Sequence, residues 1–170
     1  MDLASMIRDV PDFPKPGIIF KDITTLIKDP DAFQAAIDAM LDYCEDMTVD
    51  LVVAVESRGY IFGGALAYEL GAGFVPVRKL DKLPAETISV EYSLEYGTAV
   101  LEMHKDAIEP GQKVLVVDDL LATGGTAKAT IDLVERLGGE VVAVLFLIEL
   151  TFLHGLEKLK GYNVFSLIEF

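Results

Sequence analysis

Lys113-Val114-Leu115-Val116-Val117-Asp118-Asp119-Leu120-Leu121-Ala122-Thr123-Gly124-Gly125-Thr126 is the stretch on which the fold turns. Val114–Val117 is an unbroken β-branched and apolar run, the pattern of a strand buried on both faces in a parallel sheet. It runs straight into two adjacent carboxylates, Asp118 and Asp119, and then into small and hydroxylated residues. After Thr126 the period becomes helical: Ala127, Ile131, Val134 and Leu137 share a face, and Gly138-Gly139 ends it. A Gly-Thr turn at a helix N-terminus presents bare backbone N–H groups to a phosphate. The two acids stand where they can accept hydrogen bonds from sugar hydroxyls.

The same strand–turn–helix grammar recurs to either side. Leu51–Val55 reads as a buried strand ending in Glu56-Ser57-Arg58-Gly59, followed by a helix with Phe62, Ala65, Leu66 and Leu70, closed by Gly71. Arg58 is placed to clamp a phosphate. Val141–Ile148 is another buried strand, Phe152–Leu159 a short helical stretch, and Asn163–Ile168 a last strand. Asp29-Pro30-Asp31 is a helix start, and Phe33, Ile37, Met40, Leu41 and Cys44 share the face that follows. Gly73–Val77, interrupted by Pro76, is expected at a sheet edge. Alternating strands and helices give an α/β class with a doubly wound, mainly parallel sheet flanked by helices. No repeat or linker divides residues 1–170, so one domain is expected. In such sheets ligands bind at the carboxyl ends of the strands.

Three segments decorate this frame. Met1–Val10 has Leu3, Met6, Ile7 and Val10 at helical spacing and is expected to form a brief helix. Pro11, Pro14 and Pro16 then stiffen a turn-rich loop that leads to Ile18-Ile19-Phe20-Lys21-Asp22. Such a loop can offer Phe20 as a stacking platform, although composition alone favours Phe20 packing into the core. Arg78-Lys79-Leu80-Asp81-Lys82 gathers three cations at the end of a strand, an anion site in so acidic a chain. Thr87–Tyr96 alternates strictly, with Glu95 on the polar side; Gly97 turns it and Thr98–His104 returns. That hairpin is an arm able to fold over a neighbouring site.

Composition narrows the function. The net charge of −14 argues against general nucleic-acid binding, which needs basic surface. Cys44 is the only cysteine, so no intrachain disulfide and no Cys-rich metal site is possible. His104 and His154 are too few and too far apart for a zinc site. The longest apolar run near the C-terminus, Val141–Ile148, is too short to span a bilayer. Met1-Asp2-Leu3 lacks the basic region and apolar segment of a signal peptide, and the cytoplasm is expected.

Among phosphate-binding motifs, the P-loop needs Gly-Lys followed by Ser or Thr, and Gly124-Gly125 has no such context. The dinucleotide fingerprint is absent too. Acids for ribose hydroxyls and a turn for a 5-phosphate together describe a phosphoribosyl group. At this point the chain resembles the type I phosphoribosyltransferase family and, within it, the adenine-specific branch. Val114–Thr126 resembles the phosphoribosyl diphosphate motif of the whole superfamily, and Glu56-Ser57-Arg58-Gly59 the pyrophosphate loop. Asp12-Phe13-Pro14-Lys15-Pro16-Gly17-Ile18-Ile19-Phe20-Lys21-Asp22 resembles the N-terminal hood, and Leu94-Glu95-Tyr96-Gly97 the catalytic arm; these two narrow it to adenine.

The resemblance implies a hood over residues 1–30, a flexible arm over 84–104, and a set of roles. Ala122, Thr123, Gly124, Gly125 and Thr126 would hold the 5-phosphate, and Asp118 and Asp119 the ribose hydroxyls. Ser57, Arg58, Arg78, Lys79 and Lys82 would handle pyrophosphate, some of them across a homodimer interface. Ile19 and Lys21 would meet the adenine edge through backbone groups, with Phe20 stacking on the ring and Leu150 on its other face. Glu95 would be the general acid/base, and Mg²⁺ would arrive bound to the diphosphate substrate. The implied reaction converts adenine and phosphoribosyl diphosphate to AMP and diphosphate. The chain departs from the family at Lys21, where arginine is common, and at Leu80-Asp81, where a more basic or Gly-containing pair is frequent. Rival readings are transfer to a 6-oxo purine, a ligand-sensing regulator without turnover, and a catalytically silent partner subunit.

Overall fold

The computed structural model describes residues 1–94 and 97–170. A 3-10 turn, Ala4–Met6, precedes the antiparallel pair β1 (Arg8–Pro11) and β2 (Ile19–Asp22). Then come α1 (Thr24–Ile27), α2 (Pro30–Tyr43), β3 (Leu51–Val55), α3 (Gly59–Leu70) and β4 (Gly73–Lys79). The hairpin β5 (Thr87–Ser93) and β6 (Thr98–His104) leads to β7 (Lys113–Leu121) and α4 (Gly125–Arg136). The chain ends with β8 (Glu140–Glu149), 3-10 turns at Thr151–Leu153 and Gly155–Leu159, and β9 (Val164–Glu169).

Strands β3 to β9 form one sheet in the order β5-β6-β4-β3-β7-β8-β9. β4, β3, β7, β8 and β9 are mutually parallel, and the β5–β6 hairpin joins antiparallel through Arg78↔Glu102 and Lys79↔Leu101. The doubly wound, mainly parallel α/β fold is therefore as expected. Alternate residues of the central strands feed two cores. Val53, Val55, Val114, Val116, Val144 and Phe146 pack with Ile131 and Val134 of α4. Val52, Ala54, Leu115, Val117, Leu145 and Leu147 pack with Ile37 and Met40 of α2 and Phe62 and Leu66 of α3. Burial on both faces is why these strands read as continuous apolar runs. Asp29 caps α2 by accepting from the Asp31 and Ala32 N–H groups at 3.1 and 2.9 Å. Cys44 is buried, and burial pushes its thiol up, as suits an inert core residue.

Three local expectations are corrected. Met1–Val10 is not a helix: only Ala4–Met6 turns, and Arg8–Pro11 is extended. A ten-residue segment is too short for helical periodicity to prevail over cross-strand pairing. Here Arg8 faces Asp22 and Asp9 faces Lys21, each pair joined by an ion pair. β4 is not an edge strand, since β3 and β6 flank it. Pro76 is tolerated because the Val77 carbonyl faces β3, accepting from the Glu56 N–H, so Pro76 faces the opposite side. On that side pairing with β6 begins only at Arg78. β7, finally, does not stop at Val117 but continues through both acids to Leu121, held by Leu120↔Ile148 and Leu121↔Glu149. Among the described residues no helix is long and apolar enough to cross a membrane.

Candidate functional site

A cavity of about 470 Å³ opens at the carboxyl ends of β3 and β7. Its wall includes Ser57 and Arg58, Lys79 and Lys82, Asp118 and Asp119, and Ala122 and Thr126. Parallel strands that end together bring three distant segments to one edge. The strand ends also explain the local geometry. Asp118 tucks beneath the first turn of α3, where a Cβ on Gly59 would come within 2.9 Å of its Oδ1. The Asp119 N–H donates to Asp118 Oδ1 at 2.8 Å. Burial first, and the neighbouring Asp119 carboxylate second, push Asp118 well above the usual carboxylate range. A pair of acids of which one holds its proton readily presents both a donor and acceptors to vicinal hydroxyls.

Beyond β7 the chain enters the phosphate-loop candidate. Gly124 has φ +89° and its N-cap position offers no side-chain cap to α4, which leaves the first N–H groups of that helix for a ligand. A Cβ on Gly124 would lie 2.6 Å from the Gly155 carbonyl oxygen, and one on Gly155 would lie 2.5 Å from the Ala122 carbonyl oxygen. The loop therefore leans backbone to backbone on the turn that starts at Gly155. Thr123 is exposed, while Thr126 reaches the cavity and pairs through its Oγ with the Tyr92 hydroxyl at 3.0 Å.

Arg58 Nε donates to Asp119 Oδ2 at 2.6 Å, and its guanidinium carbon lies 5.5 Å from the Phe20 ring centre. Burial would lower the Arg58 pKa, but the carboxylates of Asp119, Asp118 and Asp22 together hold it above its ordinary value. Arg78 is not on the cavity wall; its Nε and Nη2 donate to Glu56 at 3.2 and 3.1 Å, and its Nη1 to the Lys82 carbonyl at 3.3 Å. Burial would raise the Glu56 carboxyl, yet the Lys79 backbone N–H and the Arg78 guanidinium together hold it below its usual value. Asp81, the family departure, stands at φ +65°, the conformation for which glycine is otherwise used.

The hood candidates form a second, adjoining recess of about 300 Å³ lined by Val10, Phe13, Phe20 and Asp22. Phe20 is half-buried and lies outside both cores, so the composition-based reading of a core Phe20 is corrected. Its ring meets Phe13 edge to face, with centroids 5.2 Å apart. Ile19 is exposed, and Lys21 Nζ donates to Asp9 at 2.7 Å while lying over the Phe170 ring. Leu150 is half-buried, its N–H bonded to the Leu121 carbonyl at 2.9 Å, and is not part of the recess. Glu95 lies outside the described residues.

Sequence reasoning missed Tyr92, Glu56 and Leu101 as wall residues. Tyr92 read only as the apolar side of an alternating strand. Its reach to Thr126 depends on β5 folding beside α4, which no local pattern announces.

The chain is similar to known proteins over its whole length. The model of the phosphoribosyl transferase domain family matches residues 23–167. An adenine phosphoribosyltransferase of Acetivibrio thermocellus is 60% identical, covering 100% of both chains. The crystal structure of an adenine phosphoribosyltransferase from Thermoanaerobacter pseudethanolicus is 58% identical with a TM-score of 0.97, covering 99% of this chain and 98% of that one. The Saccharomyces cerevisiae enzyme, solved with adenine and an imino-altritol bisphosphate, is 42% identical with a TM-score of 0.93, covering 98% and 96%.

Proposed function

The chain belongs to the phosphoribosyl transferase family, and we propose that it transfers the phosphoribosyl group of 5-phosphoribosyl 1-diphosphate to adenine, giving AMP and diphosphate in purine salvage. One observation carries the proposal. A single cavity joins two ribose-ready acids, a helix N-terminus for the 5-phosphate and two lysines that make no ion pair among the described residues, with an aromatic recess at its rim.

The roles follow from the chemistry of each wall. Asp118 and Asp119 hold the ribose hydroxyls, and Ala122–Thr126 hold the 5-phosphate through backbone N–H groups and hydroxyls. Ser57, Arg58, Lys79 and Lys82 receive the diphosphate, with Arg78 holding the loop that carries the lysines. Phe20 stacks on adenine, with Ile19 and Lys21 offering backbone groups to its edge and Leu150 beneath. The C1′–O bond to diphosphate breaks ahead of the new N9–C1′ bond. Positive charge then develops on the ribose, which the two acids stabilise. The proton shed by the imidazole side of adenine passes to Glu95. The hood over 1–30 and the arm over 84–104 exclude water from the activated sugar.

The residues fit a magnesium ion carried by the substrate. Asp118 and Asp119 line the same cavity as Lys79 and Lys82, and Mg²⁺ characteristically takes one or two carboxylates and leaves its other positions to phosphate and water. When bound, the ion neutralises charge on the departing diphosphate. A homodimer belongs to the same proposal. It is supported by Ile61 and Tyr68, seven residues apart on α3 and exposed, and by the exposed Phe74, whose ring meets Tyr60 of the same helix with centroids 5.5 Å apart. The lone buried thiol of Cys44 suits the reducing cytoplasm.

The test is incubation of the isolated chain with adenine, phosphoribosyl diphosphate and Mg²⁺, with hypoxanthine and guanine as alternative acceptors. AMP formation is expected. Product only with a 6-oxo purine would reassign the base, and no product with any acceptor would overturn the activity.

A further inference from the structure

We propose that Glu102 is a positioning residue for the diphosphate loop: its carboxylate fixes the turn at 79–82 and ties that turn to the β5–β6 hairpin. The inference rests on the proposed function, in which Lys79 and Lys82 receive the diphosphate.

Glu102 is only 7% exposed and is not on the cavity wall, although its neighbour Leu101 is. A buried carboxylate beside a polyanion site is disfavoured twice, by desolvation and by repulsion of the ligand. It persists only where hydrogen bonds hold it in place. Both of its oxygens are so engaged: Oε1 accepts from the Asp81 N–H at 2.7 Å, and Oε2 from the Thr87 hydroxyl at 2.7 Å. Asp81 is the residue at φ +65°, where a non-glycine backbone is held at a cost. The bond to Glu102 is what fixes the chain reversal there.

The other end of the turn is fixed by a second carboxylate. Glu56 accepts from the Lys79 N–H at 2.7 Å and from the Arg78 guanidinium, which also closes on the Lys82 carbonyl. The backbone at Lys79 and at Asp81 is thus consumed by two acids. The ammonium groups of Lys79 and Lys82 make no ion pair among the described residues, and both residues line the cavity. Acids bind the loop's backbone so that its cations are left for an anion. Glu102 also pairs across β6 with Ser89 of β5 and across to Arg78 of β4. The arm and the lysine turn therefore share one fixed point.

The test compares two probes, Mg-diphosphate and ribose 5-phosphate, by calorimetric titration of the full chain. Glu102→Ala is expected to weaken diphosphate about tenfold, the loss of hydrogen bonds to a charged acceptor. Ribose 5-phosphate, which does not reach the turn, stays within about twofold on the same reasoning. Glu102→Gln keeps an acceptor for the Asp81 N–H and is expected to restore most of the affinity. Thr87→Val removes one donor to Glu102 and shifts diphosphate in the same direction by less, which serves if Glu102→Ala does not fold. Equal weakening of both probes, or unchanged diphosphate affinity in the folded variants, overturns the positioning role. Native protein that takes ribose 5-phosphate but not diphosphate overturns the assignment of the lysine turn. Native protein that binds neither probe overturns the reading of the whole site.

Discussion

Arg58 Nε lies 2.6 Å from Asp119 Oδ2 while the same guanidinium carbon lies 5.5 Å from the Phe20 ring centre. One side chain thus touches the acid proposed for ribose and the ring proposed for adenine. It is about half exposed, so the ion pair itself contributes little to stability. Its importance is in what it holds: Asp119 is buried and needs a donor until the sugar hydroxyls arrive. Arg58→Gln is expected to lower kcat/KM for phosphoribosyl diphosphate about tenfold to a hundredfold, equivalent to ~1.4–2.7 kcal/mol of lost charge-assisted bonding. Steady-state kinetics with the donor varied would check it, and unchanged donor kinetics would remove Arg58 from the site.

Gly124 is the next point of leverage. Its φ of +89° disfavours any side chain, and a Cβ would meet the Gly155 carbonyl oxygen at 2.6 Å. That contact is backbone, so neither partner can swing away. Gly124→Ala should destabilise the fold by about 1–3 kcal/mol, the usual cost of a strained backbone position. It should also abolish the rise in Tm that phosphoribosyl diphosphate gives the native protein. Thermal melts with and without the donor measure both effects; a variant that keeps its ligand-induced shift contradicts the phosphate role of the loop.

Much of this was legible in the sequence because the central strands are buried twice. Val114–Val117 and Leu51–Val55 carry no polar alternation, so their place in the sheet follows from composition alone. The acids and the Gly-Thr turn were legible because each group's chemistry is local. What stayed hidden depends on non-local packing. Whether Pro76 sits at an edge is decided by where β6 begins to pair, and Tyr92 meets Thr126 only because β5 lies beside α4. Glu102 is one charge on a returning strand, marked out only by the Asp81 N–H and Thr87 hydroxyl that reach it from other segments.

Phe20 tests the base. Its ring is half-buried, supported edge-on by Phe13, and belongs to neither core. A ring spared from the core yet held in place is suited to stacking. Phe20→Ala should raise KM for adenine about tenfold to a hundredfold, matching ~1–3 kcal/mol for stacking one base. KM for the donor should change by no more than about threefold, since among the described residues the two recesses have no lining residue in common. A matching loss for both substrates would mean that Phe20 supports the fold instead.

The hood carries its own pH dependence. Asp22 is held at about 2, below the ordinary aspartate value of 3.8, chiefly by the Thr24 hydroxyl, then by the Thr24 N–H and by Arg8. A depressed carboxyl stabilises the fold fully above its unfolded value. That contribution fades as pH falls from about 4 through about 2. The native protein should therefore lose stability across this window more steeply than Asp22→Asn, which has no charge to lose. Tm measured against pH for both proteins would show converging curves at the acid end; parallel curves would rule out this linkage.

Glu95 bears the chemistry in the proposed mechanism, and a change there should separate turnover from binding. Adenine must lose an imidazole proton as its N9 bonds to ribose. A carboxylate in reach of that proton lowers the barrier only in the transition state. General acid–base assistance of this kind contributes about 10²–10⁴ in rate. Glu95→Leu removes the proton acceptor, so kcat should fall by about that factor. Removing a group that acts only in the transition state lowers kcat and kcat/KM together and leaves KM nearly unchanged. Glu95→Gln, which keeps the shape but not the basicity, should be nearly as slow, and the acid limb of the kcat profile that reports Glu95 should disappear in both. Because Arg58→Gln and Phe20→Ala are expected to act on the donor and adenine parameters respectively, the three variants form a set in which each loss has its own signature. A Glu95→Leu enzyme with native turnover, or one whose defect is overcome by saturating substrate, would take Glu95 out of the mechanism.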